Sequence, residues 1–260
     1  MTKRTPLIAG NWKMNLDHLQ AIALIQKLCW TLNDADHNWD DVEVAIFPPF
    51  TDLRSAQTLI DAEKFEVKLG AQDISKYESG AYTGEIAGAM LAKLGVKYVL
   101  VGHSERRQYH GEGDELLNAK VKAAWANSLV PIICVGETLE ELESQGQSAV
   151  PVAQTIAALS GHHTIGEFVI AYEPVWAIGT GKVATPAEAE AVSKAIRAAI
   201  LDNFGAESAQ SRILYGGSVK ANNVAGFLAS GEVDGVLVGG ASLDAEEFAG
   251  IARFQKHIVL

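Results

Sequence analysis

The sequence predicts an α/β protein in which eight parallel strands alternate with helices and close into a single (β/α)8 barrel. Three observations carry that reading. Eight short apolar or β-branched runs recur along the 260 residues at intervals of a few tens of residues, the spacing of repeated strand–helix units. Several runs are apolar nearly throughout, as strands covered on both faces must be. After the first run stands Gly10-Asn11-Trp12-Lys13, not the Gly-x-Gly-x-x-Gly of an open dinucleotide-binding sheet, which favours the closed arrangement.

In order, the strands are expected at residues 7–10, 42–47, 68–71, 98–101, 130–135, 168–172, 212–215 and 235–238. Helix starts are marked by caps. Thr185-Pro186-Ala187-Glu188 places Thr at the N-cap, Pro at the first helical position and Glu where a capping box needs it. Ala189, Val192, Ile196 and Ile200 then share one face at helical spacing. Thr138-Leu139-Glu140-Glu141 and Asp244-Ala245-Glu246-Glu247 have the same form. Gly95 and Gly205 follow helical runs, where a left-handed terminator belongs. No linker or low-complexity tract interrupts the series, so residues 1–260 read as one domain. Barrels of this kind routinely reach that length.

Composition narrows the function. With 48% hydrophobic residues the chain can bury a large core, and a net charge of −11 argues against nucleic acid or an anionic membrane as partner. Any anion it binds must be attracted locally, by a lysine or by clustered backbone N–H groups. Two cysteines make no disulfide framework, and neither they nor the histidines have metal-ligand spacing. Cys134 lies within the apolar run 131–135 and reads as a buried thiol. The first apolar run is too short for a signal peptide, and no stretch is long enough to span a membrane. A cytoplasmic protein is expected.

In a barrel the chemistry sits on loops leaving the C-terminal ends of the strands. After the first strand, Lys13 is either a solvated loop charge or a cation over the mouth, with Asn11 to orient it. After the fourth comes Gly102-His103-Ser104-Glu105-Arg106-Arg107. His103 is either a structural polar residue or, at a helix start whose dipole disfavours positive charge, a neutral hydrogen-bond donor. Glu105 is expected to pair with Arg106 or Arg107 and buttress the loop. After the sixth, Glu173 stands beside apolar Val175, Trp176 and Ile178, where partial desolvation should raise its basicity. The segment from Pro174 to Lys182 is apolar in its middle and ends in Gly179-Thr180-Gly181, the composition of a hinged lid. After the last two strands, Gly216-Gly217-Ser218 and Gly239-Gly240 let backbone N–H groups approach a phosphate, although tight turns also use glycine.

These five segments, with Ala171-Tyr172-Glu173-Pro174-Val175-Trp176-Ala177-Ile178-Gly179-Thr180-Gly181 the most specific, resemble the motifs of the triosephosphate isomerase family in order and approximate separation. The resemblance runs from residue 10 to residue 240. It implies Glu173 as base, His103 as electrophile, and Lys13 with Asn11 as partners of the substrate's oxygens and charge. It implies a phosphate held by the N–H groups of Gly179, Ser218, Gly239 and Gly240, and neither cofactor nor metal. The glutamate base and uncharged histidine are the family's assignment, carried over by motif. Departures in residues 108–113 and 254–260 concern surface detail. Two rivals stay open: a barrel lyase using a Schiff-base lysine or a metal, and a non-catalytic phosphate-binding barrel. The long loop from Gln72 to Glu85 carries Ile74, Tyr77, Ala81 and Tyr82, and resembles the family segment that reaches into a second subunit. A homodimer is implied, with Thr83 near the partner's Asn11 and Lys13.

Overall fold

The computed structural model describes residues 4–177 and 183–257. Its eight strands are β1 (Leu7–Asn11), β2 (Glu43–Phe47), β3 (Lys68–Ala71), β4 (Tyr98–Val101), β5 (Val130–Val135), β6 (Val169–Tyr172), β7 (Arg212–Tyr215) and β8 (Gly235–Val238). They pair in parallel, in chain order, and close: Gly10 of β1 lies opposite Ile46 on one side and Val238 on the other. Every predicted strand is present, within one residue at each end. The connections hold α1 (His18–Asp34), α2 (Leu53–Glu63), α3 (Gly88–Lys93), α4 (Ser104–His110) and α5 (Asp114–Ala126). They continue with α6 (Leu139–Gln145), α7 (Ala149–Leu159), α8 (Pro186–Ser208), α9 (Val224–Leu228) and α10 (Ala245–Ala252).

The cap signals hold with one variation. The Thr185 hydroxyl accepts the Glu188 N–H at 3.2 Å while the Glu188 carboxylate accepts the Thr185 N–H at 2.6 Å. Thr138 and Glu141 make the same reciprocal pair. Such caps contribute about 1 kcal/mol each. Asp244 caps α10 by accepting from both Glu246 and Glu247. Glu247 does not reciprocate, because its carboxylate accepts the Ala221 N–H at 2.8 Å. Gly95 is left-handed at φ 67°, and Gly205, at φ 86°, breaks α8 before its last turn.

Alternation along the strands places the site. Leu7, Ala9, Ala45, Phe47, Ala171, Leu214 and Leu237 belong to the cluster filling the barrel interior. Their neighbours Ile8, Val44, Ile46, Ile170 and Ile213 pack outward with the helices. One further step of two residues, the period of a strand, takes Ala9 to Asn11, Ala171 to Glu173, Leu214 to Gly216 and Leu237 to Gly239. Three candidate residues, Asn11, Glu173 and Gly239, are thereby set with Gly216 on the inner rim at the C-terminal end. At the opposite end the same alternation brings in Glu43 and Arg212, which pair at 2.7 Å. Glu43 also receives Lys97 at 2.6 Å and the Tyr98 hydroxyl at 2.7 Å. Burial alone would raise the Glu43 carboxyl, but Arg212, Lys97 and Tyr98 outweigh it and hold it at about 2.

Candidate active site

A cavity of about 270 Å³ opens at the C-terminal end of the barrel, lined by Asn11, Lys13, His103, Glu173, Ser218, Gly239 and Gly240 among others. The structure thus gathers seven of the eight residues singled out in the sequence. The eighth, Gly179, lies outside the described residues, as do residues 178–182 of the expected lid. Gly240 opens a short 3₁₀ helix at the cavity, Gly240–Leu243, whose first N–H groups have no acceptor within the helix.

His103 caps α4, and its Nδ1 accepts the backbone N–H of Glu105 at 3.2 Å. A ring nitrogen that accepts carries no proton, so this hydrogen-bond network assigns a neutral imidazole with its proton on Nε2. Nε2 donates to Glu173 Oε1 at 3.0 Å. Burial disfavours an imidazolium here, but the nearby Glu173 carboxylate works the other way and raises the His103 pKa above its ordinary value. The neutral ring therefore depends on the bond from the start of α4.

Glu173 is almost fully buried, and its second oxygen accepts the Ser104 N–H at 2.9 Å. Here the structure corrects the sequence reading. Burial by itself would raise this carboxyl, yet His103, the Ser104 N–H and Lys13 together hold it below the usual carboxylate range. The flanking apolar residues were visible in the sequence, whereas the donors arrive from a loop 69 residues away. Gly216 is needed beside this carboxylate, since a Cβ there would stand 2.9 Å from Glu173 Cγ.

Lys13 adopts a left-handed backbone, φ 54°, a conformation uncommon for a residue with a side chain. Asn11 holds it, as expected, by accepting the Lys13 N–H on Oδ1 at 3.0 Å. Gln72, which the sequence reading passed over, donates to the Lys13 carbonyl at 2.7 Å and to the Phe47 carbonyl at 2.9 Å. Its position at the end of β3, next but one to β1 in the barrel, was the available signal.

The Lys13 ammonium meets Glu105 at 2.6 Å, which overturns the expected pairing of Glu105 with Arg106 or Arg107. Helix neighbours one or two positions apart do not face each other. Arg106 turns instead to Asp73 at 3.1 Å and Glu112 at 2.8 Å, and Arg107 to Asp114 at 2.7 Å. Glu112 in turn corrects the view of residues 108–113 as surface detail. It is buried, and Lys120 bridges it to Asp73 with both contacts at 2.6 Å. This network ties the loop after β3 to α4 and α5.

A second carboxylate was also missed. Glu137, fully buried after β5, accepts from the Tyr172 hydroxyl and the Trp176 indole N–H, each at 2.8 Å. It anchors the start of the segment that follows Glu173. Its place two residues beyond the end of a strand was the clue, the same as for His103. Cys29 and Cys134 are buried thiols; burial pushes the Cys29 pKa up to about 12 and that of Cys134 well above its ordinary value.

Comparison with known proteins agrees with this geometry. The family model described as triosephosphate isomerase matches residues 6–255. The triosephosphate isomerase of Leifsonia xyli subsp. xyli is 60% identical over 258 residues, covering 99% of this chain and 100% of the relative. That of Streptomyces coelicolor is 56% identical over 258 residues, covering 98% and 99%. That of Corynebacterium glutamicum is 56% identical over 252 residues, covering 96% of each. Similarity of this degree from end to end leaves one reading of a barrel with these residues at its mouth: the chain belongs to the triosephosphate isomerase family.

Proposed function

We infer that the chain interconverts dihydroxyacetone phosphate and D-glyceraldehyde 3-phosphate, a step of glycolysis and gluconeogenesis, with Glu173 as the proton carrier and His103 as the electrophile. The observation that carries this is the hydrogen bond from His103 Nε2 to Glu173 Oε1 at the floor of the cavity. To take a proton from a substrate carbon, the carboxylate must leave His103 and the Ser104 N–H. Departure removes the partners that depress its pKa and so raises its basicity. It also removes the charge that favours an imidazolium, leaving a neutral ring whose N–H is free to donate to the substrate oxygen. Glu173 then carries the proton from one carbon to its neighbour through an enediolate. His103 and Lys13 stabilise the developing oxyanion, and Asn11 fixes Lys13. The N–H groups of Gly179, Ser218, Gly239 and Gly240 hold the phosphate. No electrons are transferred to or from the substrate and no group leaves it, so the reaction calls for neither cofactor nor metal.

The lyase alternative needs a lysine within the barrel. At the mouth the Lys13 amine is engaged by Glu105, and at the opposite end of the barrel the Lys97 amine is engaged by Glu43. A coupled assay of glyceraldehyde 3-phosphate consumption, with borohydride added in parallel, tests both readings. Turnover without a trapped adduct is expected, and a covalent adduct would overturn the isomerase mechanism.

A homodimer formed through the loop from Gln72 to Glu85 completes the proposal. Tyr77 and Tyr82 stack with ring centroids 3.7 Å apart yet stay partly exposed, and Met14, next to Lys13, is 95% exposed. Apolar surface of this kind beside a catalytic lysine suits an isologous contact in which each loop, with Thr83, buttresses the other subunit's Asn11 and Lys13. Among the described residues no helix is long and apolar enough to cross a membrane, and we place the enzyme in the cytoplasm.

A further inference from the structure

We infer that Lys220 is a second cation of the cavity mouth, one that draws the substrate's phosphate dianion into the site and sets KM without taking part in proton transfer. The inference rests on the isomerase reading above and adds to it a residue outside the motif match.

Lys220 lines the same cavity as Glu173 and Lys13. Its backbone is fixed: the N–H donates to Asn223 Oδ1 at 2.8 Å, and the carbonyl accepts from the N–H groups of Asn223 and Val224 at 3.1 and 3.0 Å. Asn223 also reaches back to the Ser218 carbonyl, and the next residue, Ala221, donates to Glu247 at 2.8 Å. The turn that carries Lys220 is thus bound to the glycine turn of the phosphate site and to α10. Its side chain is exposed and has no ion-pair partner among the described residues.

The charge balance shows why this cation matters. Lys13 is matched by Glu105, and His103 is neutral, so the Glu173 carboxylate leaves the described groups at the mouth with one net negative charge when Lys220 is set aside. The whole chain carries −11. A phosphate dianion approaching such a mouth is repelled until a cation offsets the carboxylate, and backbone N–H groups act only at contact distance. Lys220 supplies that offset over the longer range through which charges steer an encounter. Because its side chain is exposed, its effect must fade as salt shortens the Debye length from about 30 Å at 0.01 M to about 3 Å at 1 M.

The test is steady-state kinetics of Lys220→Gln, Lys220→Glu and Lys220→Arg on glyceraldehyde 3-phosphate from about 0.01 to 0.5 M ionic strength. At low salt Lys220→Gln should raise KM about fivefold, Lys220→Glu should raise it further, and kcat should hold in both. Lys220→Arg should restore KM, and all four proteins should converge at high salt. Phosphate-free D-glyceraldehyde should be turned over equally by wild type and Lys220→Gln. Calorimetry with inorganic phosphate should show the same salt-dependent weakening, a readout that needs no turnover. An unchanged KM at low salt, a KM change that salt does not remove, or an equal loss on D-glyceraldehyde would overturn the role of Lys220. Failure of the wild type to isomerise would overturn the function instead, and the phosphate titration would still decide whether Lys220 steers anions.

Discussion

Replacing Glu173 with Gln probes two properties of the site at once, because the carboxylate is both the proposed base and the acceptor for two buried donors. It accepts the His103 Nε2–H at 3.0 Å and the Ser104 N–H at 2.9 Å. An amide keeps only one acceptor oxygen, so one of the two donors must face an NH₂ group. His103 cannot relieve the conflict by moving its proton to Nδ1, since that atom already accepts the Glu105 N–H. One buried donor is left without a partner, at a cost of about 1–3 kcal/mol. For a chain of this size that corresponds to a melting temperature lower by roughly 2–6 °C. Turnover should fall by about 10²-fold or more, because no other group carries the proton. The coupled assay reads the first effect, and thermal unfolding followed by circular dichroism reads the second. A variant that keeps more than half of the wild-type turnover refutes Glu173 as base. One with unchanged or raised melting temperature refutes the two-acceptor argument.

Substitutions at five other positions have their own expected outcomes. Lys13→Met should raise KM and lower kcat, whereas His103→Gln should mainly lower kcat, by about 10²; a kinetically silent Lys13→Met would sink the local-cation argument. Gly216→Ala places a Cβ 2.9 Å from Glu173 Cγ and 3.3 Å from the Tyr172 carbonyl. A shift of the base by a few tenths of an ångström should cost about tenfold in kcat with the fold intact, as kinetics beside a circular dichroism spectrum would reveal. At the other end of the barrel, Glu43 is held at about 2 against an ordinary 4.5. A depressed carboxyl stabilises the fold above the ordinary value and loses that contribution as pH falls toward the depressed one. The unfolding free-energy advantage of wild type over Glu43→Gln, read from urea titrations, should therefore shrink by about 3 kcal/mol between pH 6 and pH 2, and a pH-independent difference would refute the pairing. Thr83→Arg should give monomers of low activity by light scattering and assay, and a fully active monomer would refute the coupling of assembly to catalysis.

The sequence by itself determined the parts that depend on near neighbours. Strand runs, the Thr138 and Thr185 capping boxes and the glycine terminators are written in stretches of a few residues, and each formed as read. Closure of the barrel then made the site legible as well, because an alternation of two residues fixes which side chain beyond a strand end points inward. Asn11 and Glu173 reach the mouth by that rule, and His103 reaches it as the N-cap of α4.

What the tertiary structure alone decided is who meets whom across the mouth. Lys13 finds Glu105 across 92 residues of chain, and Glu173 finds His103 across 70 and Ser104 across 69. No local pattern encodes those distances. The direction in which the Glu173 carboxyl shifts followed these partners and went against the apolar stretch beside it. Glu112 takes Arg106 and Lys120 from nearby in the chain, but Asp73, which shares both cations, reaches Lys120 across 47 residues. Burial and pKa are properties of a three-dimensional neighbourhood, and a barrel builds each neighbourhood at its mouth from strands far apart in the chain. The sequence could therefore name candidate residues for the site, but the hydrogen bonds and charges of those at the mouth were settled only when the eighth strand closed against the first.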